Sequence, residues 1–409
     1  MKIKTLIGLA AIAVMLVWQA GAQTYDTNNE VVQTFVGSGF SGDVDGVGVN
    51  TMFNLSYDPP SFVVSDSHTN LFVWDDGNAC IRKITPDGTV TTFAGGGGPG
   101  YLGTGTNFSF RSVIAVLTID RNDTLWVFNP GYLYKVTSNA VATYAISNSI
   151  TGAGVCADSV GNIYYSLGNK IYRYATNGVS SVFVGSGNTG NADGNGIFTS
   201  FNQPTYLAAD AADNIYVWDS GNRLIRKIDQ SQNVTTIAGK NSSNVDGVGA
   251  NASFSSISQM CFDNYGNLYL ACGSCIRRMD AATNVVTMAG SFTQTGYTNG
   301  AGNLARFNSA SGVCLSQGSI FVADSGNNRI RQISFNPQSQ VVTGANLGIG
   351  TFAGVTITGT AGRTYQIQSS PDMNAWATRA TILLNASPYL WIDQNPISGN
   401  KFYRAVLLP

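Results

Sequence analysis

Residues 201–239 read FNQPTYLAADAADNIYVWDSGNRLIRKIDQSQNVTTIAG. Within this stretch Thr205–Ala209, Asn214–Trp218, Leu224–Ile228 and Val234–Ala238 are runs of β-branched, aromatic or aliphatic residues. Each is bounded by Asp, Asn, Gly or Ser, the pattern of short strands joined by tight turns. The stretch predicts four antiparallel strands in a meander. One meander cannot bury both of its faces, so it needs neighbours of its own kind.

The chain supplies them. The second-strand pattern Asn214-Ile215-Tyr216-Val217-Trp218 returns in forms centred on Leu71, Leu125, Ile163, Leu268 and Ile320, which makes six copies with Ile215. Most steps between copies are 52–54 residues and one is 38, a spacing expected of propeller blades. The third strand repeats as Cys80–Ile84, Leu224–Ile228, Cys275–Met279 and Arg329–Ile333, with degenerate forms at Tyr132–Val136 and Lys170–Tyr174. A fourth strand follows the first five copies, as Val90–Gly95, Val141–Ile146, Val179–Gly185, Val234–Gly239 and Val285–Gly290. The sixth copy ends at Phe335 without one, and a matching strand stands at the other end, Val32–Gly37. Pairing that strand with the last blade closes a ring and removes an open sheet edge. The counts predict an all-β, six-bladed β-propeller over residues 23–336.

Asp219-Ser220-Gly221-Asn222 with Ile225-Arg226-Lys227-Ile228, and Asp324-Ser325-Gly326-Asn327 with Ile330-Arg331, resemble the NHL repeat. So does the loop Asp246-Gly247-Val248-Gly249 before Phe254. The resemblance runs over roughly residues 31–336 and is weakest in the second and third copies. It implies a six-bladed propeller but no single activity, because such propellers serve as RNA readers, scaffolds and, in some lyases, zinc enzymes.

Charged residues make up 11% of the chain while Gly numbers 47, a balance that suits an exported, turn-rich β protein. The net charge of −1 and the lack of a basic patch argue against nucleic acid as a partner. Met1-Lys2-Ile3-Lys4, an apolar run from Leu6 to Trp18 and Ala20-Gly21-Ala22 have the layout of a cleaved secretory signal, residues 1–22. The expected location is therefore secreted, periplasmic or at the cell surface, without membrane insertion after cleavage, and as a monomer.

Asp193-Gly194, Asp246-Gly247 and Asn299-Gly300 introduce the last three blades, and Phe201, Phe254 and Phe307 follow them as expected plugs between blades. The Gly95–Gly105 crossover, nearly all glycine with Pro99 and Tyr101, reads as a mobile loop without regular structure. A short linker, residues 337–343, leads to a second all-β unit, 344–409. Its strands are expected at Val355–Thr358, Thr364–Ser369, Trp376–Leu384, Tyr389–Asp393 and Lys401–Leu407. Tyr365–Ser370, Trp376 and Lys401–Val406 resemble a small C-terminal module of secreted proteins from environmental bacteria, which implies a fibronectin- or immunoglobulin-like β-sandwich.

Candidate chemistry is thin. His68 is the only histidine, too few for a propeller zinc site, which takes several. Asp75, Asp219 and Asp324 share one repeated place, and Arg82, Arg226, Arg277 and Arg331 another. Repetition favours a local structural job, an Asp accepting from the Gly-Asn turn with the Arg beside it. The Asp43-x-Asp45-Gly46 loop could take up calcium adventitiously but lacks the further oxygen ligands of a dedicated loop. No catalytic residue, metal ligand or cofactor is assigned.

Cys156, Cys261 and Cys314 occupy matching inner-strand places and read as buried free thiols, and Cys80 as unpaired. Cys272-Gly273-Ser274-Cys275 spans a hairpin turn, where a disulfide between Cys272 and Cys275 is expected in an oxidising compartment. Trp74, Phe128 and Trp218 share a packing position. Phe62 and Tyr206, at the start of the inner strands, and Tyr101 in the glycine loop are the ligand-binding candidates. The functional expectation is a non-catalytic propeller that offers a loop face to a protein or glycan. The alternative is a metal-dependent hydrolase or lyase with a site in the central channel.

Overall fold

The computed structural model describes residues 30–56, 60–98, 100–147, 154–335 and, further on, 354–357, 363–370, 374–383, 389–392 and 402–407. The expected signal (1–22) and linker (337–343) lie outside the described residues. The chain divides into two compact units, residues 1–338 and 339–409.

The first unit holds six antiparallel sheets, five of them five-stranded and one four-stranded. In five of them, four strands follow one another as a meander. The 201–239 stretch becomes Pro204–Ala209, Ile215–Asp219, Leu224–Ile228 and Asn233–Ala238 in that spatial order. Alternation along these strands buries Ile215, Val217, Ile225 and Ile228 on faces that pack between neighbouring sheets. The innermost strands are Val63–Ser65, Val116–Ile119, Val155–Ala157, Pro204–Ala209, Gln259–Phe262 and Ala310–Ser316. Each lies against the innermost strand of the sheet before and the sheet after, and the last lies against the first. The arrangement is a β-propeller.

The last sheet is built from both ends of the unit. Glu30–Val36 pairs antiparallel with Arg329–Phe335, with Val32 opposite Ile333 and Thr34 opposite Arg331. This is the expected ring closure, and it leaves neither strand with a free edge. Every sheet carries a β-bulge in the pairing of its third and fourth strands, at Ile81/Arg82, Leu133/Tyr134, Ile171/Tyr172, Ile225/Arg226, Ile276/Arg277 and Thr34/Val36. A bulge strengthens twist, and in four of the six sheets it sits beside or opposite a buried arginine, Arg82, Arg226, Arg277 or Arg331.

The loops read as Asp-Gly introductions add a two-residue fifth strand to the outer edge: Gly46–Val47, Gly194–Asn195, Gly247–Val248 and Gly300–Ala301. The Gly95–Gly105 crossover departs from its reading as irregular. Gly103–Thr104 pairs with Val141 and Ala142 as the fifth strand of the second sheet. The Gly95 amide also donates to the Gly105 carbonyl at 3.0 Å. Backbone pairing needs no side chain, so glycine content did not prevent it.

The second unit contains a two-stranded sheet, Gly354–Ile357 with Tyr389–Ile392, and a three-stranded sheet, Ala377–Leu383, Thr364–Ser370 and Phe402–Leu407. All five expected strands appear in these places. Ile367 is buried, and Arg404 lies over the Trp376 ring at 4.3 Å. No helix among the described residues is long and apolar enough to cross a membrane.

Candidate functional site

The repeated aspartates and arginines form closed internal networks. Arg226 is fully buried; it donates to Asp219 Oδ2 at 2.9 Å, to Asp193 Oδ1 at 2.7 Å and to the Ser200 and Ala192 carbonyls. Arg82 does the same with Asp75 and Asp45, with Asp43 at 3.1 Å, and Arg331 with Asp324 and Asn299. Asp219 in turn accepts from the Asn202 amide and the Asn222 side chain. The aspartate therefore ties the end of the second strand to the preceding interblade loop, and its turn partner is the Asn side chain rather than the turn amides. Burial pushes the Asp75 carboxyl up to about 6, against the lowering pull of Asn78, Asn54 and Arg82. Asp219 and Asp324 shift upward for the same reason. Each arginine also lies over its expected phenylalanine plug, Arg226 at 5.1 Å from the Phe201 ring centre. Phe53 fills the corresponding place under Arg82. The arginines and Asp75, Asp219 and Asp324 are fully buried, which leaves these groups no role toward an outside ligand.

In the fifth sheet Cys272 takes the place held elsewhere by the aspartate. Burial pushes its thiol up to about 12, against the lowering pull of Arg277. The expected Cys272–Cys275 disulfide is not present, and all six cysteines are free. The reason is directional. Cys272 faces its arginine, while Cys275 Sγ meets the Cys272 carbonyl at 3.7 Å. A buried thiol with a raised pKa is a poor nucleophile.

Ser67, His68 and Asp123 meet at the surface, but not as a relay. Ser67 Oγ and Asp123 Oδ2 both approach the same ring nitrogen, Nδ1, each at 3.2 Å. A triad needs its acid and its nucleophile on opposite nitrogens. Asp43, Asp75 and Cys80 bring three ligand-type atoms within 4.8 Å of one another. The Arg82 guanidinium lies within 3.1 Å of both carboxylates, so a cation already neutralises that cluster.

The innermost strands surround an axial cavity of about 220 Å³. Among the described residues its lining contains no Asp, Glu or His. Gln259, which opens the fifth inner strand, was not among the sequence candidates. Gln259 Oε1 accepts from the Val63 amide at 3.1 Å and the Val313 amide at 3.0 Å, while Nε2 donates to the Val63 carbonyl at 2.8 Å. One side chain of the fifth blade thus bolts the sixth and first together. Phe62 and Tyr206 meet with ring centres 5.7 Å apart. Phe62 is buried, which takes it out of consideration for stacking on a ligand; its ring supports Tyr206, which is half-buried.

Tyr206 also lines a second cavity, of about 380 Å³, with Gln203, Trp218 and Arg223 from the fourth blade and Ser255, Ser256 and Ser258 from the fifth. This pocket is what the residues build toward: an aromatic ring, a guanidinium, an amide and several hydroxyls converge at the axial face. Arg223 was missed because it sits one residue before a strand, in a place that is Ala79 and Asn328 in other blades. Tyr101 lies apart from this pocket. It stacks on Arg111 at 3.9 Å, and Arg111 continues onto Tyr132 at 4.4 Å and donates to Tyr144 Oη at 3.2 Å.

The NHL repeat family profile matches residues 307–333. Among curated proteins none matches the chain. Of solved structures, one similar to it is an auxiliary nutrient binding protein from Bacteroides thetaiotaomicron, at 19% identity and TM-score 0.58, covering 75% of this chain and 76% of that one. Another, from Bacteroides ovatus with the same description, has 16% identity and TM-score 0.59 over 75% and 77%. A protein of unknown function from Bacteroides thetaiotaomicron matches at 18% and 0.59 over 75% and 76%. At these identities the likeness shows the fold, a β-propeller with an NHL-type repeat in its last blade.

Proposed function

We propose that the chain is an exported, non-catalytic six-bladed β-propeller, followed by a small β-sandwich, and that it binds a protein or glycan at the face where Tyr206 lies. The observation that carries this reading is the 380 Å³ pocket beside Tyr206, in which polar side chains and a ring converge with no acid or histidine among its described residues. Pockets of this size with a few convergent polar groups are the usual form of a small-ligand site. The axial cavity supports it from the other side. Its described lining offers no carboxylate or imidazole for a catalytic ion, and Gln259 already holds the backbone groups at its wall. The nutrient-binding descriptions of two solved propellers agree with a binding role. The two C-terminal sheets support the sandwich reading, and the 1–22 leader pattern supports export.

The test is a glycan-array and pull-down screen with residues 23–409, together with metal analysis of the purified protein. Saturable capture of a ligand, weakened at least tenfold by Tyr206→Ala with the fold intact, is the expected result. A stoichiometric, tightly held divalent ion together with turnover of a lactone or glycoside would overturn the reading in favour of an enzyme.

A further inference from the structure

The residue just before the third strand varies from blade to blade, as Ala79, Gly131, Asn169, Arg223, Ser274 and Asn328. At the third-to-fourth junction, Asn169 Oδ1 accepts from the Gln203 amide at 3.0 Å. At the sixth-to-first, Asn328 Oδ1 accepts from the Leu55 amide at 2.9 Å. Both asparagines stand immediately before the third strand of their blade, and each fastens its blade to the next. In the fourth blade the residue in that register is Arg223, just before Leu224–Ile228. A guanidinium has no acceptor atom, so it cannot make the fastening bond. The 380 Å³ pocket opens at this junction.

Arg223 is a costly choice for its backbone. It holds φ +60°, the left-handed region also occupied by Asn328 at +49°, and an asparagine tolerates that region better than a long side chain does. Its guanidinium has no carboxylate or hydrogen-bonded side chain opposite it among the described residues, unlike Arg82, Arg226, Arg277 and Arg331. Among the described residues it is the one charged group on the pocket lining. Around it stand hydroxyls from Thr205, Ser220, Ser255 and Ser258, the Gln203 amide and the Tyr206 ring. Ser220 and Thr205 donate to the Gln203 and Trp218 carbonyls, which leaves their oxygens turned to accept.

We propose that this pocket binds a carboxylate-bearing sugar, a hexuronate-type unit of a glycan, with Arg223 holding the carboxylate. The proposal rests on the binding role put forward above and names its ligand class. A guanidinium pairs with a carboxylate through two parallel hydrogen bonds. Clustered hydroxyl and amide groups suit a ligand rich in hydroxyls, and the Tyr206 ring offers a flat apolar face for one side of a pyranose. The cavity has room for one or two sugar rings, and its described lining carries no acid to repel an anion.

Calorimetric titration of residues 23–409 with trigalacturonate, its methyl ester and maltotriose tests this. Binding of trigalacturonate at least tenfold tighter than either neutral probe is the expected result. Arg223→Asn installs the asparagine of the sixth blade, so it should fold with an unchanged or higher unfolding temperature and lose the preference for the acid. Equal affinity for acid and ester, or an unaltered preference in Arg223→Asn, would overturn the proposal while leaving the binding role standing. Failure of wild-type protein to bind trigalacturonate, in a preparation that captures neutral glycans or proteins, would do the same. Capture of no ligand of any class would bring down the binding role itself.

Discussion

Arg226 and its counterparts show how one residue serves in several blades. Each is wholly buried against carboxylates and carbonyls, and removing one partner of such a pair strands a charge. Arg226→Leu should lower stability by about 3–5 kcal/mol, read as a fall in the urea midpoint. Asp75 gives a pH signature. Its ordinary value is 3.8 and burial raises it to about 6, so the folded state binds its proton more tightly than the unfolded chain does. That stabilising contribution is complete below about pH 4 and is lost as pH rises through 6. Its full size is on the order of 3 kcal/mol. Unfolding of wild type and Asp75→Asn at pH 4 and pH 7 should show the mutant with the flatter dependence. An equal slope in both would show that Asp75 keeps its charge throughout.

At the level of strands and loops, two features carry sharp expectations. Gln259 pairs three backbone groups of two other blades, and Gln259→Ala would leave them buried and unmatched. The expected loss is about 2–4 kcal/mol, with faster amide exchange at Val63 and Val313; slow exchange there would mean the bolt is dispensable. Gly239 closes its fourth strand at φ +100°, where an added Cβ would meet the Arg223 carbonyl at 2.3 Å. Gly239→Ala should cost more than about 2 kcal/mol, measured by thermal unfolding. The strands themselves were legible in the sequence, because alternation and turn residues are local signals and six copies reinforce one another. The aspartate and arginine pairs were legible as structure for the same reason. What escaped was non-repeating and decided by register. Gln259 acts on strands far from it in sequence, Arg223 matters only by contrast with Asn169 and Asn328, and the pairing of Gly103–Thr104 follows from backbone geometry alone. The Cys272–Cys275 spacing misled because the side chain at 272 follows its blade's arginine rather than its neighbour in the turn.

The molecule as a whole depends on the sixth sheet, where the hydroxyl of Ser334 reaches the Val31 carbonyl across 303 residues of chain. Deleting residues 30–36 should expose the Arg329–Phe335 edge, and an open edge invites pairing with other chains. The expected outcome is a shift to species larger than wild type in size-exclusion chromatography; elution unchanged from wild type would show that the ring holds without its clasp. The same clasp sets a timetable. As the polypeptide emerges from a ribosome or a secretion pore, its opening segment has no partner until nearly the whole propeller has followed it out. Contacts so distant along the chain form slowly, so the cylinder stays unsealed through most of its synthesis. A chain that cannot lock early remains threadable, which is the condition a leader-directed passage through a narrow pore would require.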